Sequence, residues 1–228
     1  MAAANVNMND LSIDCVIFGF EDQQLKILLY KRAFDPEIDK WALPGGFIMW
    51  NEDLDQAATR VLNEITGVEN IYMEQINAFG SVNRYPLQRV ITIGFFALIN
   101  PGMHEIIPGI SAKEAKWFNV DELPELAFDH FEIFTKGIDK LRLKVRYAPI
   151  GFELLPPKFT LTMIQKLYEA VLGIEFDVRN FRKKLLKMDL LTKLNEKQNG
   201  VAHRAANLYQ FDKEMYHQLT QAGFSFDL

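Results

Sequence analysis

The chain has 228 residues, of which 49% are hydrophobic and 24% are charged. These proportions exclude a disordered chain, and the length allows either one large domain or two smaller ones. The single cysteine, Cys15, excludes an intramolecular disulfide and a site built from several thiolates, and we expect it to fill the core on a strand.

The formal net charge of −5 is unevenly distributed along the chain. Residues 1–150 contain 14 Lys and Arg against 21 Asp and Glu, a balance of −7, whereas residues 151–228 contain 11 against 9, a balance of +2. The second segment is therefore the better candidate for contact with a polyanion.

The sequence does not have the pattern of a membrane or secreted protein. The longest apolar run, residues 90–99, has about half of the roughly 20 residues that a membrane-spanning helix needs. The first residues lack the basic and apolar regions of a secretory signal. We therefore expect a cytoplasmic protein.

The first 150 residues have the pattern of an α/β fold. Residues 15–20 and 25–32 are rich in β-branched and aromatic side chains and are joined by a polar turn, which predicts a β-hairpin. Further strands are predicted at residues 70–80, 88–99 and 115–120. We expect helices to cover both faces of the resulting sheet, which makes an α/β/α sandwich.

Two helices in this segment are marked by their ends. Asp53 and Gln56 form a capping-box pattern, and Gly67 suits the left-handed residue that ends a helix. The second helix is predicted to run from an N-cap at Asp129 to about Arg146.

Three prolines between residues 147 and 158 deny the backbone donors that a helix or a central strand uses. We therefore predict one domain over residues 1–150 and another over residues 151–228. In the second domain, helices are predicted at 161–172 and 177–188, strands on either side of Asn199 and Gly200, and a last helix from Asp212. This order is typical of a winged helix-turn-helix domain.

A fixed spacing of residues follows the predicted hairpin. Five residues separate Gly46 from Glu52, seven more separate Glu52 from Arg60, and Arg60 begins the segment RVLNEITGV. This pattern resembles the Nudix box, GX5EX7REUXEEXGU, in which U is a bulky aliphatic residue. The resemblance implies a Nudix-like fold for residues 1–150.

Two positions of the box depart from the family pattern. In the family, the glutamates of REUXEE share one helix face, and the first and last of them chiefly hold Mg²⁺ or Mn²⁺ against a pyrophosphate. This chain has Val61 and Ile65 at those positions and keeps Glu64, which is placed for an i,i+4 ion pair with Arg60. We therefore expect no bound metal, no catalytic residues and no pyrophosphatase activity.

The predicted helix at 177–188 has a basic face. Val178, Phe181, Leu185 and Met188 form an expected core stripe, and no acidic residue occurs from 178 to 188. Such a face serves solubility or DNA binding, and its place in a helix-turn-helix favours a recognition helix. The candidate DNA-binding residues are Arg179, Asn180, Arg182, Lys183 and Lys187 on this helix, with Lys197 and Arg204 on the wing.

Both domains together resemble the Nudix-related transcriptional regulators, in which a catalytically degenerate Nudix domain senses a small molecule and a C-terminal winged helix binds an operator. Beyond the box, the resemblance rests on LAFDH at 126–130, LLPPKFTLT at 154–162, LYEAVLG at 167–173 and VRNFRKKLL at 178–186. It implies a homodimer that binds a double-stranded DNA operator and a small-molecule effector, with no cofactor.

The effector is predicted from the residues around the Nudix-like pocket. The loop NRYPLQR at 83–89 departs from the RDPRGR-like loop of members that bind ADP-ribose, and the altered box lacks the usual metal that offsets pyrophosphate charge. We therefore expect a neutral pentose, L-arabinose, as in an arabinose-responsive branch of the family. The candidate effector-binding residues are Lys31, Trp41, Gly45, Gly46, Glu52, Arg84 and His130.

Three other functions stay open at this point. One is a regulator of the same family that responds to ADP-ribose. The second is a Nudix hydrolase with a rebuilt metal site, for which Glu52 and Glu64 are the nearest carboxylates, although this reading leaves the basic helix without a role. The third is an adaptor that docks proteins through the winged helix, which predicts binding insensitive to salt.

Overall fold

The computed structural model describes residues 7–66, 71–104, 106, 108, 112–199, 205–224 and 226, and the side chains of residues 7–9, 65 and 66 lie outside this description. The chain divides into two compact units, which are Met1–Glu21 with Lys26–Lys140 and Asp22–Leu25 with Leu141–Leu228. The predicted domain boundary between residues 150 and 151 stays a prediction.

A mixed sheet, with seven strands among the described residues, forms the framework of the first unit. Its strands are β1 (Asn7–Glu21), β2 (Gln24–Arg32), β3 (Trp41–Ala42), β4 (Gly45–Met49), β5 (Tyr72–Phe79), β6 (Ile91–Leu98) and β7 (Ala112–Asn119). Five strands follow the order β3-β2-β1-β6-β5, while β4 pairs with β1 and β7 pairs with β2. The pairing of β1 with β6 is parallel, whereas β4 runs antiparallel to β1.

Helices α1 (Leu54–Thr66) and α2 (His130–Tyr147) cover opposite faces of the sheet. Successive residues of β1 point to opposite sides, so one packs against α1 and the next against α2. Cys15 lies in a buried cluster with Ala58 and Leu62 of α1, so it fills the core as expected. Val16 lies against α2 instead, where a Cβ on Gly137 would come within 3.1 Å of the Val16 side chain. This is the predicted α/β/α sandwich.

The predicted capping box of α1 is confirmed. The backbone N–H of Asp53 donates to Gln56 Oε1 over 2.9 Å, and the backbone N–H of Gln56 donates to Asp53 Oδ1 over 2.9 Å. Gly67, predicted to end this helix, lies outside the described residues. Asp129 directly precedes α2 as expected, but its carboxylate accepts hydrogen bonds from Arg84, which is 45 residues away in sequence and therefore outside the local pattern.

The second unit has the fold of a winged helix-turn-helix domain, as predicted. Its helices are α3 (Leu161–Leu172), α4 (Val178–Lys187) and α5 (Lys213–Gln221), and its antiparallel strands are β8 (Leu191–Lys197) and β9 (Asn207–Phe211). Gly173 ends α3 in the left-handed conformation with a φ of 66°, and Asp177 caps α4 by accepting a hydrogen bond from the backbone N–H of Asn180. Phe159 extends the wing because its backbone exchanges two hydrogen bonds with Tyr209.

The core of the second unit corrects one expectation. Phe181 and Leu185 are buried as expected, but Val178 is 45% exposed in the first turn of α4. Helical periodicity gives the angular position of a residue around the axis, but it does not show whether a partner covers that end of the helix. The expected core position of Val178 is therefore wrong.

Two short 3₁₀ segments lie at Pro101–Met103 in the first unit and at Pro149–Leu154 in the second. Pro149 stands at the first turn of its segment, where its missing N–H has no intrahelical partner to lose.

Among the helices that the structure describes, none is long and apolar enough to cross a membrane.

The pairing of β4 with β1 excludes a side chain at Gly45. A Cβ there would overlap Asp14 Oδ1 and lie 2.7 Å from the backbone oxygen of Ile13, whereas the nearest atom at Gly46 is Val61 Cγ2 at 3.4 Å. We predict that Gly45→Ala lowers the free energy of unfolding by about 1–3 kcal/mol, while Gly46→Ala changes it by less than about 0.5 kcal/mol. Urea denaturation measures both variants, and equal losses would contradict this steric account.

Candidate functional site

A cavity of about 290 Å³ opens in the first unit beside β1, β2 and β4. Residues two apart on a strand share a face, so Ser12 and Asp14 of β1 and Tyr30 and Arg32 of β2 reach it together. The full lining consists of Ser12, Asp14, Tyr30, Arg32, Gly45, Gly46, Phe47, Arg84, Tyr85, Val90, Phe128 and His130. The charged residues of this lining are Asp14, Arg32 and Arg84.

The predicted effector-binding residues divide between the cavity and other places. Those that line the cavity are Gly45, Gly46, Arg84 and His130. Those outside its lining are Lys31, Trp41 and Glu52. The structure therefore brings together four of the seven candidates.

Strand register explains why Lys31 and Trp41 lie elsewhere. Lys31 stands between the cavity-lining Tyr30 and Arg32, so its side chain points to the other face of β2. Trp41 is the cross-strand partner of Lys31 and shares that other face, where its ring packs edge-on against Phe118. A shift of one residue along β2 thus separates the expected lining from the observed one.

Arg84 is a buried cation that joins three segments of the chain. Its Nε and Nη2 donate to the two carboxylate oxygens of Asp129 over 2.9 and 2.8 Å, and Nη2 donates to Asp14 over 3.1 Å. Burial acts to lower the pKa of Arg84, but the hydrogen bonds to Asp129 and the charge of Asp14 outweigh it, so the pKa is raised. Removing one partner of a buried ion pair costs about 3–5 kcal/mol because the remaining charge is left uncompensated, so loss of the Arg84 side chain would destabilise the fold as well as alter the cavity.

His130 presents a neutral ring to the cavity. Its Nδ1 accepts a hydrogen bond from the backbone N–H of Leu43 over 2.9 Å, which places the ring proton on Nε2. Nε2 lies 3.6 Å from Asp14 Oδ1, beyond hydrogen-bond distance. Burial lowers the pKa of His130, although the charges of Asp14 and Asp129 act in the opposite direction. At neutral pH the ring therefore offers an N–H donor, which suits a ligand oxygen.

Aromatic rings and a cation meet at another side of the cavity. The guanidinium carbon of Arg32 lies 4.9 Å from the centre of the Phe128 ring, and the ring of Tyr85 lies 5.4 Å from that of Phe128. Arg32 Nε also donates to the carbonyl of Pro36 over 2.9 Å, which holds the guanidinium in place. Phe128 has a φ of 52°, a left-handed backbone that costs on the order of 1–2 kcal/mol. Such strain concentrates at binding sites.

Sequence reasoning missed several lining residues for which a signal exists. Asp14 is the one charged residue in the segment LSIDCVIFGF, and a carboxylate within a buried strand needs a partner or a function. Arg32 alternates with Tyr30 along β2, which places both on one face once the register is known. Tyr85 and Phe128 lie in irregular segments, where no periodicity indicates the direction of a side chain.

The Nudix-like box is organised around Arg60. Its Nε and Nη2 donate to the two oxygens of Glu52 over 2.9 and 2.6 Å, and Nη1 lies 3.3 Å from Glu64, as the predicted ion pair requires. The hydrogen bonds from Arg60 lower the pKa of Glu52, whose Oε1 also accepts from the backbone N–H of Met49. Both oxygens of Glu52 are therefore engaged within the fold.

The described residues of the box do not fit a divalent metal. Val61 is 1% exposed and packs in the core cluster beneath β1. The side chain of Ile65 lies outside the described residues. In the part of the chain that the structure describes, no group of three or more His, Cys, Asp or Glu side chains is arranged to hold a metal ion. The magnesium chemistry of Nudix enzymes therefore has no ligand set among these residues.

The predicted DNA-binding residues of α4 differ in where they point. Arg179, Asn180, Lys183 and Lys187 are exposed. Arg182 is half-buried, and its Nη2 donates to Oγ1 of Thr162 on α3 over 2.9 Å. On the wing, Lys197 is exposed at the end of β8, whereas Arg204 lies outside the described residues. The structure thus brings four of these side chains to the surface of one helix.

Two family models match this chain. A NUDIX domain matches residues 8–136, and an NrtR DNA-binding winged helix domain matches residues 151–211. The ADPR responsive transcriptional repressor NtrR of Acinetobacter baylyi is 33% identical over 211 residues, which cover 90% of this chain and 83% of that protein. The ADP-ribose pyrophosphatase of Methanocaldococcus jannaschii is 37% identical over 115 residues, which cover 50% of this chain and 67% of that protein.

Solved structures of Shewanella oneidensis NrtR are also similar. The structure complexed with a 27mer DNA matches with a TM-score of 0.80 and 32% identity, over 96% of this chain and 99% of that chain. The structure of its NUDIX domain complexed with ADP ribose matches with a TM-score of 0.52 and 35% identity, over 57% of this chain and 87% of that chain. The similarity to the regulators spans both matched domains, so the chain belongs to the NrtR-type family of Nudix-related transcriptional regulators.

Proposed function

We propose that this protein is a transcriptional repressor that binds ADP-ribose through residues 1–150 and an operator through residues 151–228. One observation carries the proposal, which is the 33% identity over 90% of the chain with a repressor described as ADPR responsive. The mixed charge and aromatic lining of the cavity supports the effector, and the exposed cations of α4 support the operator.

ADP-ribose suits the cavity better than the L-arabinose that the sequence favours. A neutral sugar is favoured only if no cation in the cavity offsets the negative charge of a pyrophosphate. Arg32 lines the cavity, and its positive charge can do so. The rings of Tyr85 and Phe128 offer an apolar surface to adenine, which a pentose does not have. The relatives' names support ADP-ribose, and none of those given above supports arabinose.

The operator contacts are proposed for the exposed face of α4 and for the wing. The N-terminal residues of a recognition helix contact base edges, which favours Arg179 and Asn180 for sequence reading. Lys183, Lys187 and Lys197 are placed further along the domain and suit phosphates. We infer a homodimer, which would read two half-sites about one helical turn apart in a roughly palindromic operator.

Hydrolysis of ADP-ribose is the second candidate function because a pyrophosphatase is among the relatives. Val61 occupies a metal-ligand position with an apolar side chain, and Glu52 has both oxygens engaged by Arg60. A carboxylate in this arrangement lacks the partners that a hard cation needs. We therefore propose that the Nudix domain binds ADP-ribose without cleaving it.

One prediction concerns which residues of α4 contact bases and which contact phosphates. Arg179→Ala should weaken operator binding by about 1–3 kcal/mol and relax the base preference at one position of each half-site. Lys187→Ala, in the last turn of the same helix, should keep the base preference and lower the slope of log K against log salt by about 1. Fluorescence anisotropy at several salt concentrations measures both effects. If Arg179→Ala lowers the salt dependence of operator binding and leaves the base preference unchanged, the proposed base-reading role of Arg179 is contradicted.

Another prediction concerns the residue that binds the effector's phosphates. Arg32→Ala should weaken ADP-ribose binding about 10- to 100-fold because it removes a charge-assisted hydrogen bond to a phosphate. Lys31→Ala, one residue earlier on the opposite face of β2, should leave the affinity unchanged. Calorimetry on the full chain measures both variants, and equal affinities for them would contradict the proposed ligand position.

The same samples distinguish the regulator from the hydrolase. ADP-ribose incubated with the wild-type protein and Mg²⁺ should be recovered intact. Turnover at an ordinary enzyme rate, on the order of 1 to 10³ per second, would instead support the hydrolase.

A further inference from the structure

Val178 is an exposed apolar residue at the start of a cationic helix. It is the first residue of α4 and is 45% exposed, although its helical phase places it near the buried Phe181 and Leu185. The first turn of a recognition helix is the part that reaches base edges. The exposed side chains of that turn are those of Val178, Arg179 and Asn180.

The side chain of Arg182 is directed away from Val178 and toward α3. It stands four residues after Val178 and therefore above it on the same side of α4. Its Nη2 donates to Thr162 of α3 over 2.9 Å, and it is half-buried, so its guanidinium is directed toward the neighbouring helix. If α4 lies in the major groove, base edges next to this side would therefore meet the isopropyl group of Val178 before the guanidinium of Arg182.

The major groove contains one apolar group that an isopropyl side chain recognises, which is the C5-methyl of thymine. We propose that Val178 contacts a thymine methyl group in each half-site, a role that rests on the proposed operator binding. Arg182 then positions α4 against α3 and does not read a base. Burial of one methyl group contributes about 0.8 kcal/mol, which corresponds to an affinity change of about 4-fold per contact.

The test removes the methyl group from the DNA and the isopropyl group from the protein. The operator is first identified by selecting random DNA with the full chain, and each thymine of the motif is then replaced by uracil, which lacks only the methyl. For the wild type, one thymine in each half-site should be sensitive, with a loss of about 4-fold per methyl.

Val178→Ala should bind the thymine operator about 4-fold more weakly per half-site and should no longer distinguish thymine from uracil at the sensitive position. Leu186→Ala is the matched control, since Leu186 is also 45% exposed but lies in the last turn of α4. This control should keep the full difference between thymine and uracil. Thermal unfolding of both variants shows whether either substitution alters the fold.

The outcomes separate this role from the proposed function. A selection that returns no sequence preference would overturn both the operator-binding function and the role of Val178. A clear motif with no methyl-sensitive thymine, or a thymine preference that persists in Val178→Ala, would overturn only the role of Val178. An Arg182→Ala variant that changes the preferred base at one position would overturn the positioning role of Arg182.

Discussion

The buried ion cluster of Arg84 with Asp14 and Asp129 shapes the cavity on which the proposed function depends. The cluster joins a loop to the strand β1 and to the residue that precedes α2. Arg84 of the loop is 70 residues after Asp14 and 45 residues before Asp129 in the sequence. Two carboxylates around one guanidinium leave a net negative charge, which disfavours a phosphate at this corner. If ADP-ribose is the effector, as we propose, the N–H of His130 and the nearby Asp14 suit its ribose hydroxyls, and its phosphates are expected beside Arg32.

The box illustrates how a catalytic motif separates into a structural part and a chemical part. Arg60 still binds Glu52 and Glu64, and through Glu52 it holds the backbone at Met49. Val61 stands at one metal-ligand position of the family, and its side chain is buried in the hydrophobic core. Because the arginine network organises the loop without a metal, the pocket survives the loss of that carboxylate. Under the proposed function, a binding domain keeps a Nudix-like fold while the apolar side chain of Val61 stands at one of the metal-ligand positions of the family.

Local signals were sufficient for much of the fold. The capping box of Asp53, the two helices of the helix-turn-helix and the strands of the wing follow from patterns within a few residues. The cavity depends on pairing between distant segments, and a shift of one residue on β2 exchanges Lys31 for Arg32. The contact of Arg84 with Asp129 has no local signature either. Non-local register is therefore what single-sequence reasoning lacks.

A regulator requires that the effector and the operator favour different states of the protein, since a ligand shifts an equilibrium only through differential affinity. Such coupling is reciprocal, so each ligand must change the affinity of the other by the same factor. The most direct measurement is the dissociation constant of ADP-ribose with and without saturating operator, together with that of the operator with and without saturating ADP-ribose. The account predicts equal factors within the range of about 5 to 150 that is typical of allosteric proteins. If saturation with either ligand leaves the affinity for the other unchanged, the proposed regulation is contradicted.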